Sequence, residues 1–172
     1  PLNQEERNQI AQSLYKEAGY SEERPLQLEL RYNTSDTHRR IALAIQSMWR
    51  DALGVEVTLI NEEFQVLLAN IQGREITQVF RASWVGDYND AHTFLSILQS
   101  DNPANIPGYR SEKYDSLMQS AAEQVNLDRR RLYLEEAERE MLADHPAIPI
   151  YFYVSKHLVS PRVEGWGDNV LD

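Results

Sequence analysis

Apolar positions recur along this chain with two periods. Some runs repeat every three to four residues and others every second residue. Ile10, Leu14 and Ala18 keep helical spacing behind Asn3, which can form a capping box with Glu6, and Gly19 suits a helix C-terminus. The pattern predicts a first helix over about 4–18, and Ser21 to Pro25 reads as a polar linker. Leu26, Leu28 and Leu30 then alternate with Gln27, Glu29 and Arg31, as in a half-buried strand. Thr34, Ser35 and Asp36 offer three N-caps for the next helix. That helix has one apolar face of Ile41, Ala44, Ile45, Met48, Trp49 and Ala52, and Gly54 ends it. Val55, Val57 and Leu59 alternate as a second strand. Phe64, Leu67, Leu68 and Ile71 make a short amphipathic helix closed by Gly73, and a third strand is expected over about 76–84.

The order β-α-β-α-β implies right-handed crossovers and a mainly parallel β-sheet flanked by helices, an α/β fold. The second half reads differently. A helix is expected from Ala91 to Gln99, then a loop through Asp101–Gly108 on its turn residues. Ser111 caps a helix carrying Tyr114, Leu117, Met118, Ala121, Ala122 and Val125. Asp128 begins another, with Leu134, Ala137, Met141 and Leu142 on its apolar face, and Pro146 stops it. Ala147 to Val154 is rich in aromatic and β-branched residues and predicts a strand, with a second at Leu158 to Val163. No repeat or low-complexity segment interrupts the chain. Residues 1–172 read as a single α/β lobe, with 1–25 as its leading helix and linker.

A length of 172 residues suits one domain or one lobe of a larger protein. The formal charge of −10 opposes nucleic-acid binding, which needs a basic face against phosphate. With no cysteines, disulfides and thiolate metal sites are excluded. No apolar run approaches the ~20 residues needed to span a bilayer. No signal peptide is present and the chain starts with Pro1 rather than Met, so we expect a fragment of a longer precursor.

Candidate chemistry concentrates in Phe80–Asp90. Residues i and i+2 of a strand share a face, so Arg81 and Ser83 should point one way and Ala82 and Trp84 the other. Asp87 follows the expected strand end, beside Gly86. Ligand sites of open α/β sheets gather at the carboxyl ends of strands. A carboxylate, an indole and a guanidinium there suit a small zwitterion. On composition alone, Asp87 reads more simply as a turn residue capping the helix near Asn89–Ala91, and Trp84 as core. The four histidines, His38, His92, His145 and His157, lack paired metal-binding spacing. No nucleophile elbow, dinucleotide fingerprint or P-loop is present, so no catalytic residue, metal or cofactor is expected. The run Asp128-Arg129-Arg130-Arg131 reads as a solvated helix start.

Five stretches in order carry a resemblance over about residues 10–163: Leu30–Asp36 followed by His38; Gly54–Val57; Phe80–Asp90; Gly108–Ser111 with Tyr114–Met118; and Pro149–Val154. Together they resemble the periplasmic oligopeptide-binding proteins of peptide ABC transporters, solute-binding family 5. The resemblance implies the C-terminal lobe of a two-lobed, class II-like binding protein that captures short peptides reversibly. It implies no enzyme activity, and a periplasmic or extracellular location, lipid-anchored or not. The implied partners are short peptides, the N-terminal lobe of the same protein and the membrane subunits of an ABC permease. Asp87 matches the family's ammonium-binding Asp, which reverses the simpler reading, since a carboxylate in a closed cleft meets an α-ammonium by a charge-assisted hydrogen bond. Trp84 and Tyr153 match pocket aromatics. Arg81 and His38, the latter if protonated, match positions that meet the peptide's carboxylate end.

Two positions depart from the family. Phe64 stands where relatives carry a pocket Trp, and Ile71 where some carry a cleft Arg, which bears on the preferred peptide length. The rival expectations are a same-fold protein for a sugar, metal chelate or haem, for which Asp87 has no obvious task; a hydrolase built on Asp87 or Asp90 with a His; and a structural module.

Overall fold

Asn3 begins the first helix as its spacing predicts: its side chain accepts the Glu6 N–H at 2.9 Å, and its own N–H donates to Glu6 Oε2 at 2.8 Å. The computed structural model describes residues 2–74, 78–154 and 156–167. The chain divides into two units, Pro1–Ser83 and Trp84–Asp172.

In the first unit α1 (Gln4–Glu17) precedes β1 (Gln27–Asn33), α2 (Asp36–Leu53), β2 (Glu56–Glu62), α3 (Phe64–Gln72) and β3 (Val79–Phe80). Of the three possible caps for α2, Ser35 takes the role, accepting the His38 N–H. Gly54 ends α2 at φ 72°, a left-handed conformation in which a Cβ is strained. The sheet is parallel in the order β2-β1-β3. Gln27 pairs with Glu56 and Asn33 with Glu62, so Leu28, Leu30 and Tyr32 share a face with Val57 and Leu59. That face packs with Ala42, Ile45 and Trp49 of α2 into the unit's core. The opposite face carries Arg31, whose guanidinium reaches Glu29 and Glu62 at 2.8 Å each. From α3, Asn70 donates to Glu62 at 2.9 Å. Helices thus meet both faces, as parallel sheets require.

The third strand is shorter than predicted. Residues 75–77 lie outside the described residues, and the strand itself is Val79–Phe80. Leu30 pairs with Val79 and Arg31 with Phe80, and one further bond runs from the Arg81 N–H to Arg31 O at 2.8 Å, although β1 itself continues to Asn33.

In the second unit the expected helix at 91–99 resolves into α4 (His92–Leu95) and a 3₁₀ turn, Ser96–Leu98. After a loop come α5 (Glu112–Glu123), capped by Ser111, and α6 (Leu127–Asp144), capped by Asn126. The loop is pinned by buried Asn105, which donates to Gln99 O at 3.1 Å and Tyr109 O at 2.7 Å and accepts the Tyr109 N–H at 3.0 Å. Leu95, Leu98, Tyr114, Met118, Ala121, Leu134, Ala137 and Met141 form the core. Tyr114 is fully buried and its hydroxyl donates to Leu95 O at 2.7 Å, which ties α4 to α5. That burial pushes the phenol pKa well above its ordinary range.

The predicted strands at 147–154 and 158–163 do not form among the described residues. A strand exists only when another backbone pairs with it, and no described segment forms a ladder with these residues. Ala147–Val154 keeps strand-like composition but forms no ladder with a described segment, and Phe152 is 96% exposed.

Candidate ligand-binding site

In the first unit, β1 lies between its two partners. The chain leaves β1 through α2 to β2 on one side, and β3 returns on the other. Ligand sites of open sheets form where connections diverge in this way. Asn33 ends β1 there, and Arg81 directly follows β3. Arg81 Nη1 donates to Asn33 Oδ1 at 3.4 Å. His38, in the first turn of α2, is half-buried and lies within the field of Arg81. Burial first, and then the Arg81 charge, hold its pKa below the ordinary 6.5, while a hydrogen bond with the Asn33 backbone works the other way. The imidazole is therefore neutral at pH 7, and Arg81 supplies the positive charge of the pair. Phe64 opens α3 and is 47% exposed, with Glu63 capping the helix through the N–H groups of Gln65 and Val66. Ile71, on the same helix, is buried.

In the second unit, Trp84 and Asp87 stand on the irregular stretch before α4. Trp84 is 39% exposed and Asp87 is exposed. Asp87 is tied down by Thr93 of α4, whose hydroxyl accepts the Asp87 N–H at 3.1 Å and donates to Asp87 Oδ2 at 3.3 Å. The other carboxylate oxygen, Oδ1, takes no hydrogen bond from a described residue. Gly86 sits close to α4: a Cβ there would lie 3.0 Å from the Phe94 ring and 3.2 Å from the Thr93 methyl. Asp87 does not cap α4, whose N-cap position is Ala91. Asp90 Oδ1 accepts the N–H of His92, the first residue of α4, at 2.8 Å. Both Asp90 oxygens also accept from Arg130 of α6, at 2.7 and 2.9 Å. Those charge-assisted bonds hold the Asp90 carboxyl below its ordinary 3.8. Tyr153 is 55% exposed, its ring 5.1 Å from that of Tyr151.

The structure thus brings His38 and Arg81 together in the first unit and sets Trp84 and Asp87 on one loop in the second. Phe64 and Tyr153 are presented to solvent. No group of three or more potential metal ligands forms among the described residues.

Residues 2–105 match the bacterial extracellular solute-binding proteins, family 5. The chain belongs to this family. The periplasmic murein peptide-binding protein MppA of Escherichia coli is 38% identical over 168 residues, 98% of this chain and 31% of that protein. The probable deoxycholate-binding periplasmic protein YgiS of Escherichia coli is 35% identical over 94% of this chain and 30% of its own length. Among solved structures, Haemophilus influenzae OppA in complex with RPPGFSPFR superposes with a TM-score of 0.86 at 33% identity, over 92% of this chain and 31% of that one. The chain therefore spans about a third of the length of the relatives it matches. These relatives of family 5 are periplasmic binding proteins rather than enzymes.

Sequence reasoning missed the supports of this family 5 loop. Thr93 carried no motif, although a Thr predicted within a helix and beside apolar residues invites the question of what its hydroxyl meets. Asp90 and Arg130 are forty residues apart, and no local periodicity links them.

Proposed function

We propose that this chain is the C-terminal lobe of a two-lobed peptide-binding protein serving an ABC importer, and that Asp87 pairs with the α-ammonium of short peptides. One observation supports the reading: an exposed carboxylate that takes the Thr93 hydroxyl at one oxygen and, at the other, no hydrogen bond from a described residue, on the same loop as Trp84. A transporter of many peptides must grip what they share, namely backbone amides and charged ends. Fixing one oxygen leaves the other to receive N–H donors from an ammonium without first losing side-chain freedom. Trp84 and Tyr153 offer amphipathic contact area that demands no particular side chain. Arg81, with neutral His38 as a hydrogen-bonding neighbour, suits the carboxylate end. Capture is reversible, with closure of the absent N-terminal lobe excluding water.

Asp87→Asn in the complete protein tests the reading by calorimetry. Charge-assisted hydrogen bonds contribute ~1.5–3 kcal/mol, so tripeptide affinity should fall at least tenfold. Unchanged affinity would favour a second reading, a non-peptide solute, which the relative named for deoxycholate binding supports.

A further inference from the structure

Resting on the ammonium reading above, we propose that Thr93 and Arg130 are positioning residues that preset the Asp87 carboxylate. Thr93 is 1% exposed, a polar side chain fully enclosed next to the apolar core. Its methyl packs against Gly86, and its hydroxyl serves Asp87 twice, at the backbone N–H and at Oδ2. A valine would fill the same volume and serve neither.

Arg130 acts one step further back. Its neighbours Arg129 and Arg131 are exposed, whereas the Arg130 side chain is 21% exposed and bidentate on Asp90. It sits one turn before Leu134, so the helix that carries it is anchored in the core. Asp90, held by Arg130, binds the first N–H of α4, and the next residue of α4 is Thr93. The chain of support runs from α6 through Asp90 and α4 to Asp87. A bidentate guanidinium–carboxylate pair fixes orientation as well as distance, which a single lysine contact does not.

The test uses the complete protein and two probes, a tripeptide with a free α-ammonium and the same peptide N-acetylated. The ratio of the two dissociation constants is measured calorimetrically for the wild type, Thr93→Val, Thr93→Ser and Arg130→Gln. Because both probes meet the same variant, any loss of folded fraction cancels from the ratio. The wild type should prefer the free peptide by at least tenfold. Thr93→Val and Arg130→Gln should each shrink that preference about fivefold, the equivalent of one ordinary hydrogen bond. Thr93→Ser should restore most of it. An unchanged ratio in either variant overturns the role of that residue while leaving Asp87 standing. A wild-type ratio near one overturns the ammonium reading and this inference with it.

Discussion

Arg81 in the first unit follows directly on a strand, and its backbone N–H still bonds to Arg31 of the neighbouring strand at 2.8 Å. Asp87 in the second unit stands on a loop without regular structure and is held by side chains, Thr93 directly and Asp90 with Arg130 behind it. One charge is placed by sheet register, the other by a network of side-chain bonds. Register is set by backbone pairing and survives most side-chain changes. A network is only as good as each member, because removing one partner leaves the other desolvated and unmatched. The positive site should therefore tolerate substitution around it, and the negative site should not.

The largest effects should come from the two cores. Leu30→Ala in the central strand and Met118→Ala between α5 and α6 should each cost ~2–5 kcal/mol, read as a fall in the urea midpoint. A loss below ~1 kcal/mol for Met118 would mean that the helical unit has no core comparable to the sheet's. Next comes Tyr114→Phe, which leaves the buried Leu95 carbonyl without its donor and should cost ~1–3 kcal/mol. Binding contrasts the two charges directly. Arg81→Gln should weaken binding of a tripeptide about tenfold but leave its C-amidated form unaffected. Equal losses on both peptides would remove the carboxylate role from the first unit.

The smallest effect is the dependence on pH. His38 has a folded pKa below its ordinary 6.5, so the unfolded chain binds its proton more readily. Its contribution is complete above pH 6.5 and is lost as pH falls through the depressed value, and His38→Gln should flatten that slope. Asp90 is also depressed, from an ordinary 3.8, so the Arg130 anchor holds until pH falls below that value. The first unit should loosen with acid before the loop of the second does. The reverse order, followed by hydrogen exchange at β1 and α4, would contradict both assignments.

How much of this could be read in the sequence follows from the range of the forces. The capping box at Asn3, the caps at Ser35 and Ser111, the left-handed Gly54 and the alternation in β1 and β2 are local, and each stands where its residues predict. The third strand is shorter than its composition predicts, because a strand extends only as far as its backbone is paired, here Val79 and Phe80. Ala147–Val154 has the composition of a strand, but composition does not supply a pairing partner. In the candidate site, Trp84 and Asp87 share a loop and Arg81 joins His38, while the Arg130–Asp90 pair and the Thr93 contact come from tertiary packing. In sequence alone Asp90 fits a rival catalytic group and Arg130 a solvated helix start, because neither names its partner.

The measurement that tests the Asp87 assignment most directly is calorimetric titration of the complete wild-type protein with di- to pentapeptides and the same peptides N-acetylated. The expected result is tight binding that acetylation weakens at least tenfold, the loss of a charge-assisted contact. Binding indifferent to acetylation would contradict the pairing of Asp87 with the peptide ammonium and send the function to a different solute.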